Sequence, residues 1–156
     1  MKAMRVESRR ERGSYFVEAA IAFPFLLGVV FLMVDIGWTL FVKATLQHAV
    51  REGVRYAVTG QVKGGLGQTA SIQDVVQQNA AGLLASHPDT IHVRFFRPDT
   101  QQATASNAGG NVVIVSVEEY PISPLLPFMH KGDPTNVTVR SGDKLEASPA
   151  AGPPPL

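Results

Sequence analysis

From Ala19 to Val42 the sequence reads AAIAFPFLLGVVFLMVDIGWTLFV, a run in which Asp35 is the only charge. As a helix at 1.5 Å per residue it reaches about 36 Å, more than the roughly 30 Å of a bilayer's hydrocarbon core. Apolar residues occupy every face of that helix, whereas a core helix of a water-soluble domain carries a polar stripe. The run therefore predicts a membrane-spanning helix, and the rest of the 156 residues is enough for one small domain with appendages. Pro24 reads as a kink that membrane helices accommodate near their ends. Asp35, about 10 Å from the Val42 end, has two partners open to it, a neighbouring helix or the lipid headgroups. Ala20, Pro24 and Gly28 form a row of small residues at i, i+4 spacing, which permits close helix contact.

Toward the N-terminus, residues 1–13 hold Lys2, Arg5, Arg9, Arg10 and Arg12 against Glu7 and Glu11, a balance of 5 − 2 = +3. The positive-inside rule places this basic leader in the cytoplasm and the remainder outside, with a single pass through the membrane. Between leader and span stands Arg12-Gly13-Ser14-Tyr15-Phe16-Val17-Glu18. A carboxylate at the head of an apolar helix is expensive unless paired. Cleavage after the span is disfavoured, since Val42-Lys43-Ala44 lacks the small residue at its first position and carries a lysine in the middle. Cleavage after Gly13 would instead leave a cationic amine on Ser14 and keep the anchor. Glu18 can neutralise such an amine from a neighbouring copy or another subunit inside a low-dielectric bundle.

Beyond the span the pattern turns amphipathic. Leu46, Ala49, Val50, Gly53, Val54 and Ala57 share one helical stripe, while Lys43, Gln47, His48, Arg51, Glu52 and Arg55 take the other side. Gly53 lowers helix propensity by up to about 1 kcal/mol relative to alanine, so its place on the stripe predicts a close contact. Arg51 and Arg55 suit headgroups, a partner's carboxylates or plain solvent. A continuous helix from Tyr15 to Thr59, stopped at Gly60, would extend roughly 67 Å as a stalk.

The expected organisation is then a leader at 1–13, a transmembrane plus amphipathic extension helix at 14–59, a glycine-rich hinge at 60–70, an outer unit at 71–146 and a disordered proline-rich tail at 147–156. In the outer unit Ser71-x-x-Asp74 predicts a capping box that opens a second helix striped by Ile72, Val75, Val76, Leu83 and Leu84. Ile91, Val93 and Phe95 alternate as a strand, Val112 to Val117 reads as a buried one, and Asn136 to Arg140 offers a third. The stretch between the first two is long and polar, which predicts a flexible loop. Pro121, Pro124 and Pro127 predict another. The fold class is α+β: a long N-terminal transmembrane helix with an amphipathic extension, and an outer domain of one helix and a two- to three-stranded antiparallel sheet.

Several chemistries are disfavoured. The chain has no cysteine, and its 14 Lys and Arg nearly balance 13 Asp and Glu, so thiol chemistry is excluded and no global charge excess favours nucleic acid. His48, His87, His92 and His130 form no metal-ligand pair, and the i, i+4 pair His48 and Glu52 reads as an exposed polar face. Glu118 and Glu119 are adjacent on a strand and are expected on opposite faces, which argues against an acid/base pair. No catalytic residue, cofactor or metal is expected, and the rival reading as a membrane-anchored ligand-binding or enzymatic module would have to find its site within 71–146.

Gly13, four residues and then Glu18 resembles the type IV prepilin class. More closely, residues 9–58, with Gly13, Val17-Glu18, Pro24, Asp35 with Gly37, and Ala49-Val50-Arg51-Glu52-Gly53-Val54-Arg55-Tyr56-Ala57-Val58, resemble the TadE-like family of pseudopilins from tight-adherence (Flp) pilus systems. The resemblance implies a bacterial inner-membrane protein, processed by a prepilin peptidase at Gly13–Ser14 and acting in pilus assembly. It assigns assembly roles to Glu18, Asp35, Arg51, Glu52, Gly53 and Arg55, with other pilin or pseudopilin subunits and the tight-adherence machinery as partners. A static membrane assembly factor that never enters a filament fits the same residues.

Overall fold

The computed structural model describes residues 7–123, 135–146 and 154–156, with side chains from residue 14 onward. The expectations for Pro124, Pro127, His130 and most of the leader and tail fall outside these residues. One helix, α1, runs from Glu7 to Val58, eight residues further toward the N-terminus than the Tyr15 start expected from the sequence. Pro24 lies inside it. From Ser14 the helix is apolar enough to cross a membrane, with a mean hydropathy of 2.4 over its most apolar window, none of which is covered by the other described residues.

The character of α1 changes at Val42. Before it, Phe31, Leu32, Met33, Val34 and Ile36 are exposed; from it on, Val42, Leu46, Ala49, Val50, Val54 and Ala57 are buried at 5% exposure or less. Those six join Ile72, Val76, Ala80 and Leu84, and the inward side chains of the sheet, in one core. The stripe expected from the periodicity is the stripe that is buried.

The second helix, α2 (Gln68–Asn79), begins three residues before the expected capping box and has Gly67 at its cap without a side-chain hydrogen bond. Ser71 does other work. Its hydroxyl donates to the Gly67 carbonyl at 2.8 Å and accepts from the Lys63 amide at 3.0 Å, so it ties the preceding loop to the helix. Asp74 pairs with Lys63. The helix stops short of Leu83 because Ala81 and Gly82 adopt φ of 50° and 81°, after which Leu83–Ser86 form a single 3-10 turn.

Four antiparallel strands follow: β1 (Ile91–Phe96), β2 (Ala103–Thr104), β3 (Val112–Ile122) and β4 (Thr135–Lys144), in the order β2-β1-β3-β4. Three were expected at most. The added β2 lies in the stretch expected to be a flexible loop, pairing Thr104 with Phe95 and Ala103 with Phe96. Val113, Val115 and Val117 alternate inward on β3, opposite Phe95, Val93 and Ile91. β3 also runs on through Pro121, which was expected to break it. β1 begins opposite Val117 and does not reach Pro121, so among the described residues β4 is the one strand paired with β3 there, a setting in which a strand tolerates a missing N–H.

Residues 154–156 were expected in a disordered tail. Instead the Pro155 carbonyl accepts from the Gln68 amide at 2.7 Å, supplying the first turn of α2 with an acceptor that no side-chain cap provides.

Gly53 is buried where α2 and the sheet reach α1. A Cβ added there would stand 2.4 Å from Val76 Cγ2, 3.6 Å from Ile72 Cγ2 and 3.7 Å from Val115 Cγ1. Val76 is fully buried and β-branched, so it cannot swing aside. Gly53→Ala is expected to lower the stability of the outer domain by about 1–3 kcal/mol through overpacking, despite alanine's better helix propensity. Gly28→Ala, with nothing within 4 Å, should leave it unchanged. Urea unfolding in detergent micelles, followed by near-ultraviolet circular dichroism, reads both; an unshifted midpoint for Gly53→Ala would contradict the packing argument.

Candidate assembly surface on the long helix

The residues singled out from the sequence all lie on α1, in two groups separated by the span. In the first, Gly13 lies on continuous helical backbone, and Ser14 and Glu18 are exposed one turn apart. Around them Tyr15, Phe16 and Val17 are 68%, 78% and 59% exposed, so Glu18 projects from a surface that is otherwise apolar. Beside it the small residues Ala19, Ala20 and Ala22, bounded by Phe16, Phe23 and Leu26, leave an apolar hollow. A hollow floored by methyl groups lets another helix approach closely. Further along, Asp35 is half-buried and its carbonyl accepts from the Thr39 hydroxyl at 3.1 Å.

The second group divides. Arg51 and Arg55 are exposed and Glu52 is half-buried, away from the core stripe. Gly53 does not belong with them. It is covered by this chain's own α2 and β3, so its close contact is internal to the chain and not one with another subunit.

Sequence reasoning missed a buried polar network at the upper end of α1. Gln68, 1% exposed, donates to the Ala57 carbonyl at 3.3 Å and accepts from the Asn107 amide, which also donates to the Pro154 carbonyl at 2.6 Å. Gln68 supplies a donor to the end of α1, whose last carbonyls have no intrahelical one, and Asn107 satisfies the Gln68 carbonyl oxygen in turn. Neither residue stands in a periodic pattern, and a polar residue inside a polar stretch gives no signal of burial.

The outer face of the sheet carries a polar groove bordered by His87, Asp89, His92, Arg94, Glu118 and Glu119. Glu118 and Glu119 therefore do not part to opposite faces as strand alternation predicts. A β-bulge sets two residues of β3 against one of β4, since Val117 pairs with Val139 and Tyr120 with Val137, and Glu119 has φ of 54°. Arg94 donates twice to Glu118, at 2.9 and 3.0 Å, and the Ser116 hydroxyl donates at 2.8 Å. The Ser116 hydrogen bond first, and then those from Arg94 with its charge, hold the Glu118 carboxyl below its ordinary range; partial burial opposes them. A carboxylate kept ionised by a bidentate guanidinium is a poor proton carrier. Among the described residues, no three His, Asp or Glu side chains gather as a metal-ligand set.

Residues 13–55 match the family model described as TadE-like protein. The match falls on the stretch that carries the resemblance and bears it out, and it connects the chain with tight-adherence pilus systems. No curated protein and no solved structure gave a match.

The Glu118 cluster has a pH signature. Its carboxyl is lowered in the folded state, so its contribution is complete above the unfolded value of 4.5 and is lost as pH falls through the folded value. Glu118→Gln should reduce stability at pH 7 by less than about 1 kcal/mol, the scale of exposed ion pairs. The gap to the unmodified chain should close in acid, and urea midpoints measured in micelles at neutral pH and below 4.5 test this. A gap that persists unchanged in acid would contradict it.

Proposed function

We propose that this chain, TadE-like over residues 13–55, is a pseudopilin or minor pilin that takes part in assembling tight-adherence (Flp) pili, after a prepilin peptidase cuts between Gly13 and Ser14. The observation that carries the reading is the exposed carboxylate of Glu18, one helical turn from Ser14 on an apolar surface that none of the other described residues covers. Cutting there removes the +3 leader and creates an ammonium on Ser14. An unpaired carboxylate at the edge of a hydrocarbon layer is costly, and the ammonium of an adjacent subunit is the opposite charge that removes the cost. Gly13 suits the cut. Glycine is about 1 kcal/mol less helical than alanine, so the helix opens most easily at this position for a peptidase that must reach the backbone.

In this reading the leader is cytoplasmic and the outer domain lies beyond the bacterial inner membrane, because the basic excess precedes the span. The hollow beside Glu18, the carboxylate of Asp35, and the outward Arg51, Glu52 and Arg55 serve contacts with other pilin or pseudopilin subunits and with the assembly machinery. The protein is not an enzyme; in the polar groove beside β3 the Glu118 carboxylate is bound by Arg94 and Ser116.

Intact-mass measurement of the chain from cells with and without a prepilin peptidase tests the processing step. A mature chain that begins at Ser14 when the peptidase is present supports it; retention of Met1 to Gly13 refutes it. Gly13→Ala should block the cut. Glu18→Ala should leave membrane insertion intact and lower pilus recovery by about tenfold or more, since breaking a desolvated pair costs about 3–5 kcal/mol. Normal piliation in both variants would remove the proposed roles. Recovery of the chain in sheared pili distinguishes a filament subunit from a static assembly factor, which would remain in membranes.

A further inference from the structure

The outer domain lies closer to the bilayer than a stalk would hold it. Two hydrogen bonds set the direction of β4 along α1: Gln47 Nε2 donates to the Arg140 carbonyl at 3.2 Å, and the Glu146 amide donates to the Val58 carbonyl at 3.4 Å. From Arg140 to Glu146 extended chain covers about 20 Å, and from Gln47 to Val58 helix covers about 16 Å, so the two run nearly side by side in the same direction. Following β4 back from Arg140 to its start at Thr135, at the same inclination, descends about another 13 Å along the helix, to about the level of Trp38 on α1. Thr135 pairs with Ile122, and Asn136 with Pro121, so the end of β3 descends with it. Burial agrees, since Val42 is 1% exposed within the same core as Tyr120 and Ile122.

A domain that reaches the level of Trp38 cannot share that level with the hydrocarbon core. The apolar helix has length to spare: the 20 residues Tyr15–Val34 already span about 30 Å, a full hydrocarbon thickness. Asp35 follows immediately. Trp38 and Phe41 then come next, stacked with ring centroids 5.7 Å apart and still 38% and 51% exposed, and paired aromatics at this depth belong to the headgroup layer.

We infer that the span ends at Asp35 rather than Val42, and that the β3–β4 end of the sheet rests with Trp38 and Phe41 on the outer lipid surface, as a second contact between protein and membrane. The partner is the lipid interface: it is continuous with the lipid-facing side of α1, and the polar, uncharged Ser123, Thr135 and Asn136 that the strand ends expose are compatible with headgroups. Asp35 at this boundary lies at the level of the headgroups and not inside hydrocarbon. The inference depends on the membrane span alone and not on pilus assembly.

The chain has no cysteine, so single cysteines can be labelled without background. Asn136→Cys, Ile36→Cys, Gly28→Cys and Thr100→Cys would each carry a nitrobenzoxadiazole probe on the full chain in phosphatidylcholine–phosphatidylglycerol vesicles containing lipids with a nitroxide at carbon 5 or carbon 12. Thr100 is the aqueous reference, since it lies in the turn beyond Phe96 at the opposite end of β1. The expected result is that probes at 136 and 36 are quenched more by the shallow nitroxide than by the deep one, with the 136 probe quenched at least about twofold more than the 100 probe. The 28 probe should show the reverse depth order. Equal quenching at 136 and 100, or deep-type quenching at 36, overturns the inference while leaving the anchor intact. An unquenched probe at 28 removes the span itself, and with it both this inference and the proposed membrane function.

Discussion

The contact at Gly53 is what allows one helix to serve two surroundings. Below Val42 α1 is apolar on all sides and its side chains face outward; above it, α1 is the central element of a protein core. An outer unit of one short helix and a small sheet has little apolar area to enclose by itself, and small units of that kind are marginal alone. It becomes stable by closing on α1, and the row Ala49, Gly53 and Ala57 lets it come close. With Val76 Cγ2 at a distance where no Cβ fits, α2 settles into α1 and brings Leu46, Val50 and Val54 into the same core as Val115 and Val117.

That close approach is held at its upper end by polar contacts. Gln68 caps the Ala57 carbonyl, Asn107 holds Gln68, and Glu146 donates to Val58. Lys63, Ser71 and Asp74 bind the glycine-rich loop to α2. The outer domain is thus attached to α1 along the helix, with β4 beside it for about as far as the helix is buried. The polar groove on the far face of the sheet, where Arg94 and Ser116 bind Glu118, lies away from this junction.

Some features were legible in the residues because the physics behind them is local. Lipid must be faced by apolar side chains on every side, so the run from Ala19 to Val34 declares a span. A half-buried helix must alternate with a period near 3.6, so Leu46 to Ala57 declares a stripe, and that stripe is the one buried. Ile91 to Phe96 and the start of β3 follow the period of 2. Where patterning gave out, contacts distant in sequence had taken over. Ser71 looks like a cap until Lys63 and Gly67 claim its hydroxyl. Pro121 looks like a break until the short reach of β1 frees that side of β3. Glu118 and Glu119 look opposed until a bulge against Thr138 turns the strand.

The sequence by itself determined that a single apolar helix anchors this chain, that its extension has one buried face, and that residues 13–55 carry a TadE-like pattern with Glu18 at the head of the span. Each of these follows from which side chains a solvent accepts at a given helical position. Only the tertiary structure decided that Gly53 is occupied by the chain's own α2, that Asn107 and Gln68 are buried together, and how low along α1 the sheet descends. Those outcomes depend on the packing of elements far apart in the chain, and no periodicity within any one element records where its neighbour will stop.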